Sequence, residues 1–197
     1  MPRSINPEAR AARRLAILEA AGRLFAERGF HQTGMAAICE AVGMSPGGLY
    51  RYFPSKAALI EGIVELERED ALGYLDAVEA ADGLVPGLVG LLIRCAQEAE
   101  DPEGVALSLD VAAEAVRNPA VGDHVAAVEQ EFIERLAGLV QAGQSHGEVS
   151  PSVDPLGVAL VLTATAHGLT VTSAEDVEIL RPTLSAAVRG LLGKSDP

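Results

Sequence analysis

Residues 33–56, TGMAAICEAVGMSPGGLYRYFPSK, constrain this chain more than any other stretch. They hold two short helical patterns separated by a turn. In the first, Met35, Ile38 and Val42 fall at i, i+3 and i+7, one apolar face of a short helix, with Thr33 placed to cap its start. Gly43 follows the last periodic residue, where a helix commonly ends in a left-handed conformation that glycine adopts at little cost. Ser45-Pro46 then restarts a helix, the hydroxyl at the cap and the proline at the first helical position, where its missing N–H goes unneeded. Leu49 and Phe53 give this second helix a buried side; Pro54 stops it and Ser55 caps a third. Two such helices joined by a tight glycine turn form a helix-turn-helix, whose second helix can enter a DNA major groove.

The same run resembles the N-terminal signature of the TetR (tetracycline-repressor-like) family of transcriptional regulators. The resemblance spans roughly residues 10–65. It is carried by Phe25-Ala26-Glu27-Arg28-Gly29-Phe30, Thr33, Ile38, Gly43, Ser45, Gly47, Leu49-Tyr50-Arg51-Tyr52-Phe53 and Ser55-Lys56. Gly34, Cys39, Val42 and Gly48 depart from the family's usual residues, and the last removes a possible hydroxyl contact to DNA. The resemblance implies a nine-helix, Ω-shaped dimer. An N-terminal three-helix module would read DNA, helices 4 to 7 or 8 would enclose an effector pocket, and helices 8 and 9 would form the dimer interface.

The rest of the composition agrees with an all-α chain. Alternating Val/Ile/Thr/Tyr runs are missing, aromatic residues are few, and Ala, Leu and Glu abound. Hydrophobic residues make up 49% of the 197, enough for a sizeable core. The net charge of -13 first argues against a nucleic-acid partner, but its distribution reverses that. Residues 1–56 carry +4 and the remainder -17, a basic module joined to an acidic one. We therefore divide the chain into a DNA-binding domain, 1–56, and an effector-binding and dimerisation domain, 57–197.

Along the chain, residues 1–9 read as a frayed arm and helix 1 as residues 8–28, with Leu15, Leu18, Gly22 and Phe25 on one face. Arg10, Arg13 and Arg14 crowd its start, where cations oppose the helix dipole; phosphate contact and a solvated basic face both account for them. Helix 4 runs to about residue 80, helix 5 spans roughly 88–100 after the Pro86-Gly87 step, helix 6 roughly 103–117 and helix 7 roughly 120–144. Residues 155–174 hold no charged side chain. Four threonines, His167 and acidic flanks argue against a membrane span, so burial against a second copy of the chain is the natural reading. A final amphipathic helix covers about 180–193.

Taken with the resemblance, these elements give a homodimer whose two reading helices, residues 46–53, enter successive major grooves about 34–36 Å apart on a near-palindrome. Gly47 and Gly48 leave the helix front bare, Leu49 offers an apolar base contact besides its core packing, and Arg51 is the one long donor for a guanine edge. Thr33, Tyr50 and Lys56 are expected on phosphates, with Ser45 and Pro46 beside them at the helix start and Arg10 and Arg14 behind; Tyr52 either joins them or packs beneath the helix.

Asp70, Tyr74, Cys95, Asp110, Glu114, Phe132 and His167 are candidate effector contacts, suiting a largely apolar small molecule, cationic if the carboxylates face it. The competing reading of helix 6 puts Glu103, Asp110, Glu114 and Arg117 on a water-facing side with a Glu114–Arg117 pair. Candidate dimer contacts are Leu160, Thr163, Ala164, His167, Val171, Leu184, Val188 and Leu191.

The histidines at 31, 124, 146 and 167 have no metal-ligand spacing, and Cys39 and Cys95 read as packed thiols of a reducing cytoplasm. No phosphate loop, nucleophile elbow or helix-borne metal pair supports an enzyme, and no cofactor is expected. Two other readings stay open: an effector-independent architectural DNA-binding protein, and a helical partner-binding adaptor.

Overall fold

The computed structural model describes residues 6–172 and 176–193. Among these it is all-α. Nine helices follow one another as α1 Pro7–Arg28, α2 Met35–Ala41, α3 Pro46–Leu49, α4 Lys56–Glu79, α5 Leu84–Glu98, α6 Pro102–Arg117, α7 Pro119–Ser145, α8 Pro155–Thr170 and α9 Leu180–Leu191, the last preceded by a single 3₁₀ turn, Val177–Ile179. Asn6 caps α1 by accepting the Glu8 N–H, so residues 6–9 belong to that helix and not to a frayed arm; residues 1–5 lie outside the described residues. Residues 173 and 174, assigned above to the uncharged helix, also lie outside them. No described helix is long and apolar enough to cross a membrane.

Contacts divide the chain into two compact units, residues 1–67 with 106–125, and residues 68–105 with 126–197. The division falls inside α4, α6 and α7. The first unit thus includes the start of α4 and most of α6, which a boundary at residue 56 leaves out. Its core gathers Ile17, Leu18, Leu24 and Phe25 of α1 with Ile38, Leu49, Phe53, Leu59 and Ile60. Leu15, expected on that face, is largely exposed, because the buried stripe of α1 is set by Ile17 and Ala21 instead.

The core of the second unit is built around α5, which packs on α8 and α9 and buries Leu88, Leu91, Leu92, Cys95 and Ala96 among Leu136, Val140, Leu162 and Val188. The helix begins at Leu84, earlier than the Pro86-Gly87 step suggests. Pro86 sits in its first turn, where no N–H is required, and Glu148 of α7's C-terminal loop accepts the otherwise orphaned Leu84 N–H at 2.7 Å.

Candidate nucleic-acid interface

The turn between α2 and α3 is formed by local chemistry. Gly43 takes φ +62°, and the Met44 N–H returns to the Cys39 carbonyl at 2.9 Å, ending α2. The Ser45 hydroxyl accepts the Gly48 N–H at 3.3 Å, with Pro46 at the first helical position, and the Ser55 hydroxyl accepts the Ala58 N–H at 3.0 Å to open α4. The regular part of α3 ends at Leu49, and the chain continues through turns at 50–52 instead of as helix to Phe53.

The structure differs from the sequence reading at three places, two on α3 and one before α2. Leu49 is 0% exposed, so it serves the core and reaches no base. Gly48 is buried, with Ser45 Oγ and Met44 against the position a Cβ would take, whereas Gly47 has open space there. Thr33 does not cap α2; Gly34 occupies the cap position, and no side chain accepts there. The Thr33 hydroxyl is buried, 3.0 Å from both the Leu24 and Gly29 carbonyls, because the loop after α1 turns it into the module.

Lys56 is likewise turned inward. Its ammonium donates to the Phe30 carbonyl at 2.6 Å and the Thr33 carbonyl at 3.1 Å, and lies 4.1 Å from the Phe30 ring centre. What remains on the outside is a compact polar surface: Ser45, Pro46, Gly47, Tyr50 and Arg51 are all exposed. Beside it the α1 arginines meet the segments on either side of α3. Arg10 lies over the Tyr52 ring at 5.9 Å, Arg14 over Phe53 at 5.2 Å, and Arg13 donates to the Val42 carbonyl at 3.3 Å. Tyr52, half-buried, thus packs under Arg10. Arg14 also lines an open groove of about 400 Å³ with Tyr52, Glu61, Glu65 and His124. Its carboxylates disfavour a phosphate there, which leaves Arg10 the better placed of the two for a DNA backbone.

The seven candidate effector residues divide between the two units. Asp110 and Glu114 belong to the first unit and the other five to the second. Asp110 Oδ2 accepts the Phe30 N–H at 2.8 Å. Glu114 is 7% exposed, against the water-facing reading; it accepts from the Asn118 side chain at 3.1 Å and lies 3.9 Å from His31. Asp70 is exposed, and Phe132 packs half-buried on the core. The Tyr74 hydroxyl donates to Glu98 at 2.6 Å under the Arg94 guanidinium; burial and then Glu98 push its pKa up. His167 is exposed, 3.9 Å from Glu129.

Burial pushes the Cys95 thiol up to about 12, with Glu98 adding to the shift. Because the native state keeps a proton that the unfolded chain releases above pH 9.0, the associated stability is present below that value and lost as pH climbs towards about 12. At pH 8, iodoacetamide should therefore modify Cys95 only after unfolding; fast native labelling, read by mass spectrometry, would refute this.

Of the expected dimer contacts, Thr163, Leu184 and Val188 point into their own chain's core and Leu191 packs partly against it. Leu160, Ala164, His167 and Val171 face outward. Leu156 and Val161 join them on the outer side of α8 and escape sequence reasoning, since a helix apolar nearly all round gives no phase to read.

Comparison with known proteins agrees with this architecture. Residues 17–63 match the profile described as bacterial regulatory proteins, tetR family, and residues 91–193 that of the BetI-type transcriptional repressor C-terminal domain. The chain is 31% identical over 160 residues, 79% of each protein, to the HTH-type transcriptional regulator UidR of Escherichia coli K12. Among solved structures, Salmonella enterica GusR is 37% identical with a TM-score of 0.86, covering 96% of this chain and 98% of that one. FadR from Bacillus subtilis, solved with stearoyl-CoA, shares the fold at 16% identity and a TM-score of 0.76, over 90% of this chain and 98% of its own. With its helix-turn-helix and its helical C-terminal portion both matched, the chain belongs to the tetR family of bacterial regulatory proteins: it is a DNA-binding transcriptional regulator and not an enzyme.

Proposed function

We propose that the protein is a homodimeric repressor that leaves a near-palindromic operator when a small, largely apolar effector binds residues 57–197. The observation that carries the DNA half is the exposed face of α3. Gly47 offers bare backbone in the first turn of α3, and Tyr50 and Arg51 stand exposed just past its last residue, Leu49. Arg51 is the base reader and Tyr50 a phosphate contact, with Ser45 and Arg10 fixing register. Support for the dimer comes from the outer side of α8, where Leu156, Leu160 and Val161 are each about half exposed; α9 separately exposes the small residues Ala186, Ala187 and Gly190. An effector would act only by binding one spacing of the two reading heads better than the other.

Selection of random duplexes by the purified protein tests this reading. The expected result is a near-palindrome with half-sites one helical turn apart; enrichment of a single half-site, or none, would exclude the dimeric reader. On the selected duplex, Arg51→Ala should cost about 1–3 kcal/mol and relax preference at one base pair per half-site. Unchanged preference would remove Arg51 from base reading.

A further inference from the structure

Phe30 follows the left-handed Gly29 that ends α1, and both sides of its main chain are gripped by ionised side chains from other helices. Its N–H donates to Asp110 of α6 at 2.8 Å, and its carbonyl accepts from Lys56 of α4 at 2.6 Å. The ring is buried, edge-on to Phe25 at 5.2 Å and under the Lys56 ammonium. Lys56 also holds the Thr33 carbonyl at 3.1 Å, one residue before the Gly34 cap of α2. A carboxylate of α6 and an ammonium of α4 thus fix the segment from which the helix-turn-helix is suspended, through charge-assisted hydrogen bonds that polarise a shared peptide segment.

From this geometry we infer that Asp110 is a positioning residue for DNA reading: acting with Lys56 through Phe30, it sets where α2 and α3 stand. The same placement assigns Lys56 to holding the module in place of binding a phosphate, and removes Asp110 from the effector contacts. Asp110 lies in the part of α6 that belongs to the same compact unit as Phe30 and Lys56. The inference rests on the DNA-binding reading and on no particular effector.

Charge and position predict opposite results, which makes the test decisive. Removing a carboxylate beside a basic module strengthens attraction to any DNA by electrostatics alone. Positioning requires the reverse for the chosen sequence. With the duplex obtained by selection, Asp110→Ala should bind about tenfold more weakly while affinity for random DNA stays level or rises. Asp110→Asn, whose amide oxygen can still accept the Phe30 N–H, should stay within about threefold of the unaltered protein. Asp110→Glu keeps the charge but moves the acceptor by one methylene, and should lose specific affinity as the alanine variant does.

Lys56→Ala should weaken specific binding with no change in salt slope, and the Asp110→Ala/Lys56→Ala pair should lose less than the two single losses combined. Thermal unfolding is recorded alongside. The inference is overturned if Asp110→Ala or Asp110→Glu reads the duplex as tightly as the unaltered protein, or if the two losses add. A lowered melting temperature with intact affinity below it would assign Asp110 to stability alone. If selection yields no duplex, amide exchange at Phe30 decides the contact: it should quicken in Asp110→Glu and stay slow in Asp110→Asn, and equal rates would overturn the hold.

Discussion

Replacing Phe25 by alanine should cost the DNA-reading unit about 3–5 kcal/mol, the range for truncating a large buried aromatic side chain. Phe25 is 1% exposed and meets Phe30 edge to face, at 5.2 Å and 64°. Its removal therefore takes away transfer energy, a cavity's worth of contacts and an aromatic pair together. The surroundings cannot close the gap easily, because the Phe30 main chain is tied to Asp110 and Lys56. Urea unfolding followed by circular dichroism measures the loss. The expected signature is an unfolding midpoint moved to lower urea. A loss below about 1 kcal/mol would mean that the site collapses around the vacancy, and would contradict a rigidly held Phe30.

The features of the fold readable from sequence are those decided within a few residues. Gly43 has to take a positive φ, Ser45 and Ser55 have hydroxyls at cap positions, and Pro46 stands where an N–H is not used; the structure has each of these. Thr33 carries the same local signature and misleads. A threonine before a helix caps it only if its side chain stays near the helix start, and here the long-range return of the α1–α2 loop offers the Leu24 and Gly29 carbonyls instead. Leu49 and Gly48 illustrate the same limit. Which side of a four-residue helix faces outward is decided by what packs beneath it, and four residues contain barely one period.

Asp110 and Glu114 of α6 are the least legible. In sequence, Asp110 and Glu114 are acidic residues four apart, the ordinary mark of a solvated helix face. Nothing local tells that one meets a main-chain N–H eighty residues earlier, or that the other lies buried beside Asn118. A carboxylate persists away from water where donors meet it: Asp110 has the distant Phe30 N–H, and Glu114 the Asn118 side chain four residues on. Helix α8 resists reading for the opposite reason. Its apolar residues encircle the helix, so the inward Thr163 and the outward Leu156 cannot be told apart by period.

Two glycines three residues apart on α5 should respond to substitution with opposite sign. A Cβ on Gly87 would lie 2.8 Å from the Val78 carbonyl oxygen and 3.0 Å from its Cα, so α5 approaches the backbone of α4 at this point and not a movable side chain. Gly87→Ala gains about 1 kcal/mol of helix propensity but must push α4 and α5 apart to seat its methyl, and overpacking costs typically about 1–3 kcal/mol. The net effect is destabilising, and Gly87→Leu should approach or exceed about 3 kcal/mol, since the added branch has only the packed α4 face to enter. Gly90 is exposed, with nothing within 4 Å of its would-be Cβ, so Gly90→Ala should stabilise by up to about 1 kcal/mol through propensity alone. Both effects should appear as shifts of the urea midpoint. Stabilisation by Gly87→Ala would show that the two helices have room to separate, and the close crossing of α4 and α5 would no longer explain why glycine stands at that position.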